Sequence, residues 1–146
     1  MACPQCGATA KSTGARCKRK TCKYAPHCFH HSSVQINPSQ IAGRGLFAKK
    51  AIRKGEVVAD YTFADKITSA QFQAKKRAGT ATHIALINGQ YFDASDASTT
   101  VAGMANRAPR GRRNNVKLTG AGKVRAQRHI AAGSELLMGY GNAFRM

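Results

Sequence analysis

Glycine sets the limits on what this chain can fold into. Fourteen of its 146 residues are glycine, which favours many turns over long helices. Short apolar segments lie between those turns. Val34-Gln35-Ile36 alternates ahead of an Asn37-Pro38-Ser39 turn signal, and Val57 to Phe63 reads as a strand after the charged turn Lys49 to Glu56. His83 to Ile87 and Gln90 to Phe92 form a hairpin around Asn88-Gly89, the strongest short turn signal in the chain. Lys123 to Ile130 and Leu136 to Met138 complete the strands. One helix is predicted, Ser69 to Arg77, with Ser69 as N-cap and Gly79 as its stop. The pattern is that of a β-rich α+β domain. Tryptophan is absent, so the core is expected to be aliphatic. A chain of this length buries one core, with room for a small appendage. We divide it into a Cys/His module at 1–33 and a body at 34–146.

Charge is the compositional outlier. There are 24 Lys and Arg against 6 Asp and Glu, a formal net charge of +18. Such an imbalance repels itself in the compact state and favours polyanions. No acid lies between Asp96 and Glu135, where Arg107, Arg110, Arg112, Arg113, Lys117, Lys123, Arg125 and Arg128 all fall. The first 33 residues also lack acids and carry Lys11, Arg16, Lys18, Arg19, Lys20 and Lys23. Nucleic acid, or an assembly containing it such as a nucleosome, is the natural counter-charge. Lys18, Arg19, Lys20, Arg110, Arg112 and Arg113 are the expected contacts. Two of the scarce acids read as structural, Glu56 capping or pairing with a cation and Asp93 ending a strand.

All five cysteines precede residue 29: Cys3, Cys6, Cys17, Cys22 and Cys28, followed by His30 and His31. An odd number of cysteines in a reducing compartment argues for a metal rather than a disulfide framework. Zinc takes four N or S donors in a closed tetrahedral site, and this segment has few apolar residues to fold around instead. The candidate ligands are Cys3, Cys6, Cys17, Cys22, Cys28 and His31, with His27 and His30 as exposed neighbours. The segment also resembles a short Cys-Cys-Cys-His zinc module of large DNA viruses and some phages, which implies Cys6, Cys17, Cys28 and His31 as the ligand set.

Four blocks then recur in order: Ile41 to Ala48, containing Gly43-Arg44-Gly45-Leu46; Ile52 to Tyr61, containing Gly55-Glu56-Val57-Val58; Phe92-Asp93-Ala94 leading to Gly103-Met104-Ala105-Asn106; and Arg128 to Gly141, ending Gly139-Tyr140-Gly141. Together they resemble the SET domain of protein-lysine methyltransferases, in particular the compact SET proteins of large DNA viruses. The resemblance covers roughly residues 34–142. It implies several small curved sheets, a C-terminal knot-like closure and S-adenosylmethionine as cofactor.

Residue by residue, the resemblance makes Gly43, Arg44, Gly45 and Leu46 a cofactor loop, where glycine lets backbone approach a large ligand. Asn106 matches the family's cofactor-binding Asn, and Arg107 stands where the family has His. Tyr140 matches the closing tyrosine that orients the target amine, and Tyr61 one that lines the lysine channel. A lysine with a pKa near 10.4 must shed its proton before it reacts, which a poorly solvated channel favours. The implied activity is methylation of a histone or another basic chromatin or virion protein. The competing expectation is a SET-derived, zinc-containing nucleic-acid-binding or virion protein without catalysis. No stretch approaches the roughly 18 apolar residues of a membrane span, and the N-terminus lacks an apolar signal core. The expectation is therefore an intracellular protein without a membrane partner, in a host nucleus, a viral replication compartment or a virion. The sequence leaves monomer and homodimer open.

Overall fold

The computed structural model describes residues 5, 7, 23–24, 27–28, 31–41, 43–79, 83–139 and 144–145. Cys3, Cys6, Cys17, Cys22, Lys18, Arg19, Lys20, His30 and Tyr140 lie outside them, as do residues 140–143, where much of the expected closure falls. Within the described residues the strands sort into three small sheets. β1 (Val34–Pro38), β2 (Arg44–Ala48) and β9 (Glu135–Leu136) form the first, in the order β1-β2-β9. The second runs β10-β7-β8-β3, from β3 (Val57–Asp60), β7 (Val116–Leu118), β8 (Lys123–Ala126) and β10 (Met138–Gly139). The third runs β11-β5-β6-β4, from β4 (Asp65–Ile67), β5 (Ile84–Ile87), β6 (Gln90–Asp93) and β11 (Phe144–Arg145).

The hairpin forms where Asn88-Gly89 places it. Both turn residues take positive φ, 49° and 78°, as a type I′ turn demands of its two central positions. Helix α1 (Ser69–Arg77) has the predicted bounds but is capped one residue earlier. The Thr68 hydroxyl accepts from Gln71 N at 3.1 Å, while the Gln71 side chain accepts from Thr68 N at 2.8 Å. This reciprocal capping box satisfies two orphan donors, which Ser69 as N-cap would not.

Three strand expectations are corrected by side-chain capping and pairing. The strand expected over Val57 to Phe63 stops at Asp60, because the Asp60 carboxylate accepts from Thr62 N at 2.9 Å and turns Tyr61–Phe63 into a 3₁₀ segment. The strand expected over Lys123 to Ile130 breaks after Ala126, with Ile130 making only an isolated bridge to Ile52. Arg44 to Leu46, expected as part of the cofactor loop Gly43 to Leu46, instead belong to β2, the central strand of its sheet, paired to both β1 and β9. Glu56 closes its turn by accepting from Arg53 N at 3.4 Å and also accepts from the Ser33 hydroxyl at 2.6 Å, and Asp93 ends β6 as expected while pairing with Lys75 at 3.1 Å.

One aliphatic core joins the sheets, built on Val34, Leu46, Ile52, Val101, Val116, Leu118, Val124, Leu136 and Met138. A smaller cluster of Ile67, Phe72 and Ile84 seats α1, with Phe72 stacked on Tyr91 at 4.3 Å between ring centroids. None of the described helices is long and apolar enough to cross a membrane.

Candidate functional site

Three segments distant in sequence converge beside the first sheet. β2 presents Gly43 and Arg44 at its start, and antiparallel pairing sets Phe47 opposite Glu135 and Leu46 opposite Leu136. The turn after β1 supplies Ser39. A second 3₁₀ segment, Ala102–Met104, delivers Asn106, whose backbone bridges Leu137 in parallel and accepts from Met138 N at 2.8 Å. Gly103 is needed in that segment, since a Cβ there would sit 2.6 Å from the Ala94 carbonyl oxygen.

A polar cluster fixes the Asn106 side chain. Its Nδ2 donates to Glu135 Oε2 at 2.9 Å and lies 3.2 Å from Ser39 Oγ. The Ser39 hydroxyl donates to Glu135 as well, at 2.8 and 2.9 Å from the two carboxylate oxygens. Gly45 is buried directly against this cluster. A Cβ at Gly45 would run into Glu135 Oε2 and come within 3.2 Å of Asn106 Nδ2. The missing side chain therefore accommodates the carboxylate rather than providing backbone freedom, because Gly45 is not among the positive-φ residues.

Gly43, Arg44, His83, Met104 and Asn106 line a cavity of about 330 Å³, within the usual range for small-molecule sites. Gly43 has φ of +44°, and a Cβ there would meet no protein atom within 4 Å, so its backbone faces open space. Tyr61 stands behind the wall, fully buried, its hydroxyl donating to the His83 carbonyl at 2.7 Å. Buried phenols commonly find such a partner, and this one fixes the backbone of a cavity residue at the entry to β5. Leu46, expected in the cofactor loop, faces the core, while Arg107 is exposed and is not among the residues lining the cavity.

A family model described as SET domain matches residues 43–141. The chain belongs to the SET-domain family. Among solved structures it is similar to the methyltransferase domain of human PR domain-containing protein 2, with a TM-score of 0.57 and 20% identity over 84% of this chain and 90% of that one. That likeness is one of fold. No curated protein matches the chain.

Seen within the SET domain, the structure gathers Gly43, Arg44 and Asn106 at one cavity and sets Gly45 beneath it. Sequence reasoning missed Ser39, His83, Met104 and Glu135. Met104 lay inside one of the four blocks without a role, and Glu135 stood out as one of six acids at the head of an apolar strand. At the N-terminal side, Cys28 is 4% exposed and its Sγ lies 3.4 Å from His31 Nδ1. His27, expected to be exposed, is half-buried, and burial together with the Lys50 charge holds its pKa below the ordinary histidine range. Among the described residues no group of three or more metal-ligating side chains forms.

Proposed function

We propose that this SET domain transfers a methyl group from S-adenosylmethionine to a lysine amine of a histone or another basic chromatin or virion protein. The observation that carries the reading is the convergence of Gly43, Arg44 and Asn106 on one cavity. These residues suit the cofactor. The Gly43 backbone faces open space, and the Asn106 amide is pre-oriented by Ser39 and Glu135. Gly43, Arg44, Asn106, Arg107 and Tyr140 would hold S-adenosylmethionine, which supplies an electrophilic methyl group when bound, while Gly45 and Leu46 pack beneath them. Asn106 then offers a neutral amide whose orientation is set before binding, so little side-chain entropy remains to be lost. Tyr61, its own hydroxyl engaged with His83, braces the wall, and Tyr140 orients the neutral amine. Positioning of that kind supplies several kcal/mol of a barrier.

The same proposal gives the N-terminal module one zinc. Cys28 and His31 present two donors 3.4 Å apart, and two of Cys3, Cys6, Cys17 and Cys22 would supply the remaining thiolates of a four-donor site. Nucleic acid would meet Lys18, Arg19, Lys20, Arg110, Arg112 and Arg113, and a nucleosome would then be preferred over a free basic tail that the net charge repels. The protein would act in a host nucleus, a viral replication compartment or a virion.

The test is incubation of the purified protein with labelled S-adenosylmethionine and either free histones or nucleosomes, beside calorimetric titration of the cofactor. Labelling of nucleosomes above free histones is expected, with Tyr140→Phe lowering turnover far more than cofactor affinity. A wild type that neither binds cofactor nor labels either substrate refutes catalysis and leaves a SET-derived binding protein.

A further inference from the structure

Five of the six acids are engaged by side chains away from the second sheet's exposed cations. Asp60 pairs with Lys123, and Asp93 pairs with Lys75. Glu56 accepts from Ser33, Asp96 from Ser98, and Glu135 from Ser39 and Asn106. Asp65 is exposed on β4, in the third sheet. The second sheet, by contrast, sets Lys117 of β7 directly opposite Arg125 of β8, both exposed, with no ion pair to a described carboxylate at either. Directly opposed like charges destabilise an antiparallel pair. The flanking positions of the same row are Gly139 on β10 and Val57 on β3, so the two cations are its only charges.

The patch extends into the turn before β3. Arg125 Nη1 donates to the Gly55 carbonyl at 2.8 Å, tying the exposed Arg53-Lys54-Gly55 turn to the sheet. One guanidinium donor is used in that bond and the fork is held in place, leaving further donors for a ligand. The Glu56 carboxylate next to the turn faces Ser33 and the Arg53 backbone instead of these cations.

We infer that Lys117, Arg125, Arg53 and Lys54 form a docking face for the phosphate backbone of duplex nucleic acid, in addition to the Arg110–Arg113 loop. The inference rests on the nucleic-acid reading above and adds a location to it. A rigid sheet that holds uncompensated cations side by side matches a polyanion with regularly spaced charges, and contact relieves the repulsion the fold builds in. Such contacts carry no base readout.

The experiment compares the wild-type chain, the double variant K117Q/R125Q and the charge-matched control K66Q/K76Q, whose lysines are exposed on β4 and α1. Each is titrated with a short duplex DNA over a series of salt concentrations and melted without DNA. K117Q/R125Q is expected to bind more weakly, with a salt slope smaller by about one unit per cation removed, and to melt at or slightly above the wild-type temperature, because relief of the opposed charges offsets the lost Arg125 bond to the Gly55 carbonyl. The control is expected to keep most of the wild-type slope. Equal losses in both variants would mean that net charge alone drives binding, overturning the face while leaving nucleic-acid contact intact. A wild type that does not bind DNA would overturn both. A K117Q/R125Q variant that melts lower shows its weaker binding to be a folding defect, and the inference fails.

Discussion

Gly45→Ala probes the candidate site at its tightest point. The substitution adds one methyl group where no backbone strain interferes, so its effect is steric. That methyl meets the Glu135 carboxylate, with Cδ at 3.1 Å, and the Asn106 amide nitrogen at 3.2 Å. Glu135 cannot swing aside without stretching its bonds to the Ser39 hydroxyl and Asn106 Nδ2, at 2.8 and 2.9 Å. Hydrogen bonds to a charged group contribute about 1.5–3 kcal/mol each. The carboxylate is half-buried, so solvent screening brings the loss of one to two such bonds down to about 1–3 kcal/mol. For a chain of this length that corresponds to a fall in Tm of roughly 3–9 °C. Asn106 loses its fixed orientation at the same time, so cofactor affinity should fall beyond what stability explains. Thermal melts followed by circular dichroism measure the first effect, and calorimetric titration of S-adenosylmethionine below the melting range measures the second. Adding Glu135→Asp, which withdraws the carboxylate by one methylene, should recover part of both losses, because the two positions share one contact and are not additive. If Gly45→Ala melts within a degree of wild type and binds cofactor unchanged, the cluster does not hold Asn106, and the reasoning from close packing is wrong.

Two further outcomes follow from the described contacts. Asp93 is partly desolvated, which opposes its ionisation, yet hydrogen bonds from Ser95 and Lys75 outweigh this and hold its pKa below the ordinary 3.8. A carboxylate with a depressed folded-state pKa contributes stability that is present above its unfolded pKa and lost as pH falls through the folded value. Melts between pH 5 and about 2 should therefore show a loss of stability below the ordinary carboxylate pKa that Lys75→Met reduces, and identical profiles would refute this. For the N-terminal module, metal analysis of reduced protein should return about one zinc per chain, and a chelator or Cys28→Ala should remove it. A metal content near zero in the wild type rules the zinc out.

The local features of this fold were legible because their causes are local. Asn88-Gly89 specifies its turn through the backbone conformations of two residues, and the bounds of α1 follow from a short helical run ended by Gly79, with φ of +75°. The Gly43-Arg44-Gly45 block and Asn106 marked the site through their resemblance to a family pattern. What misled was capping by side chains: Asp60 ends a strand that the apolar run Val57 to Phe63 would have continued, and Thr68 starts the helix ahead of Ser69.

Charge, glycine turns, the order of the SET blocks and the bounds of α1 were set by the sequence alone, since each depends on residue identity or near neighbours. The tertiary structure alone decided that Ser39 and Glu135, 96 positions apart, would hold Asn106 between them, and that Lys117 would face Arg125. Sheet register and the meeting of distant turns are fixed by burying one shared core. A sequence pattern states which face of a strand is apolar, but not which strand will lie beside it.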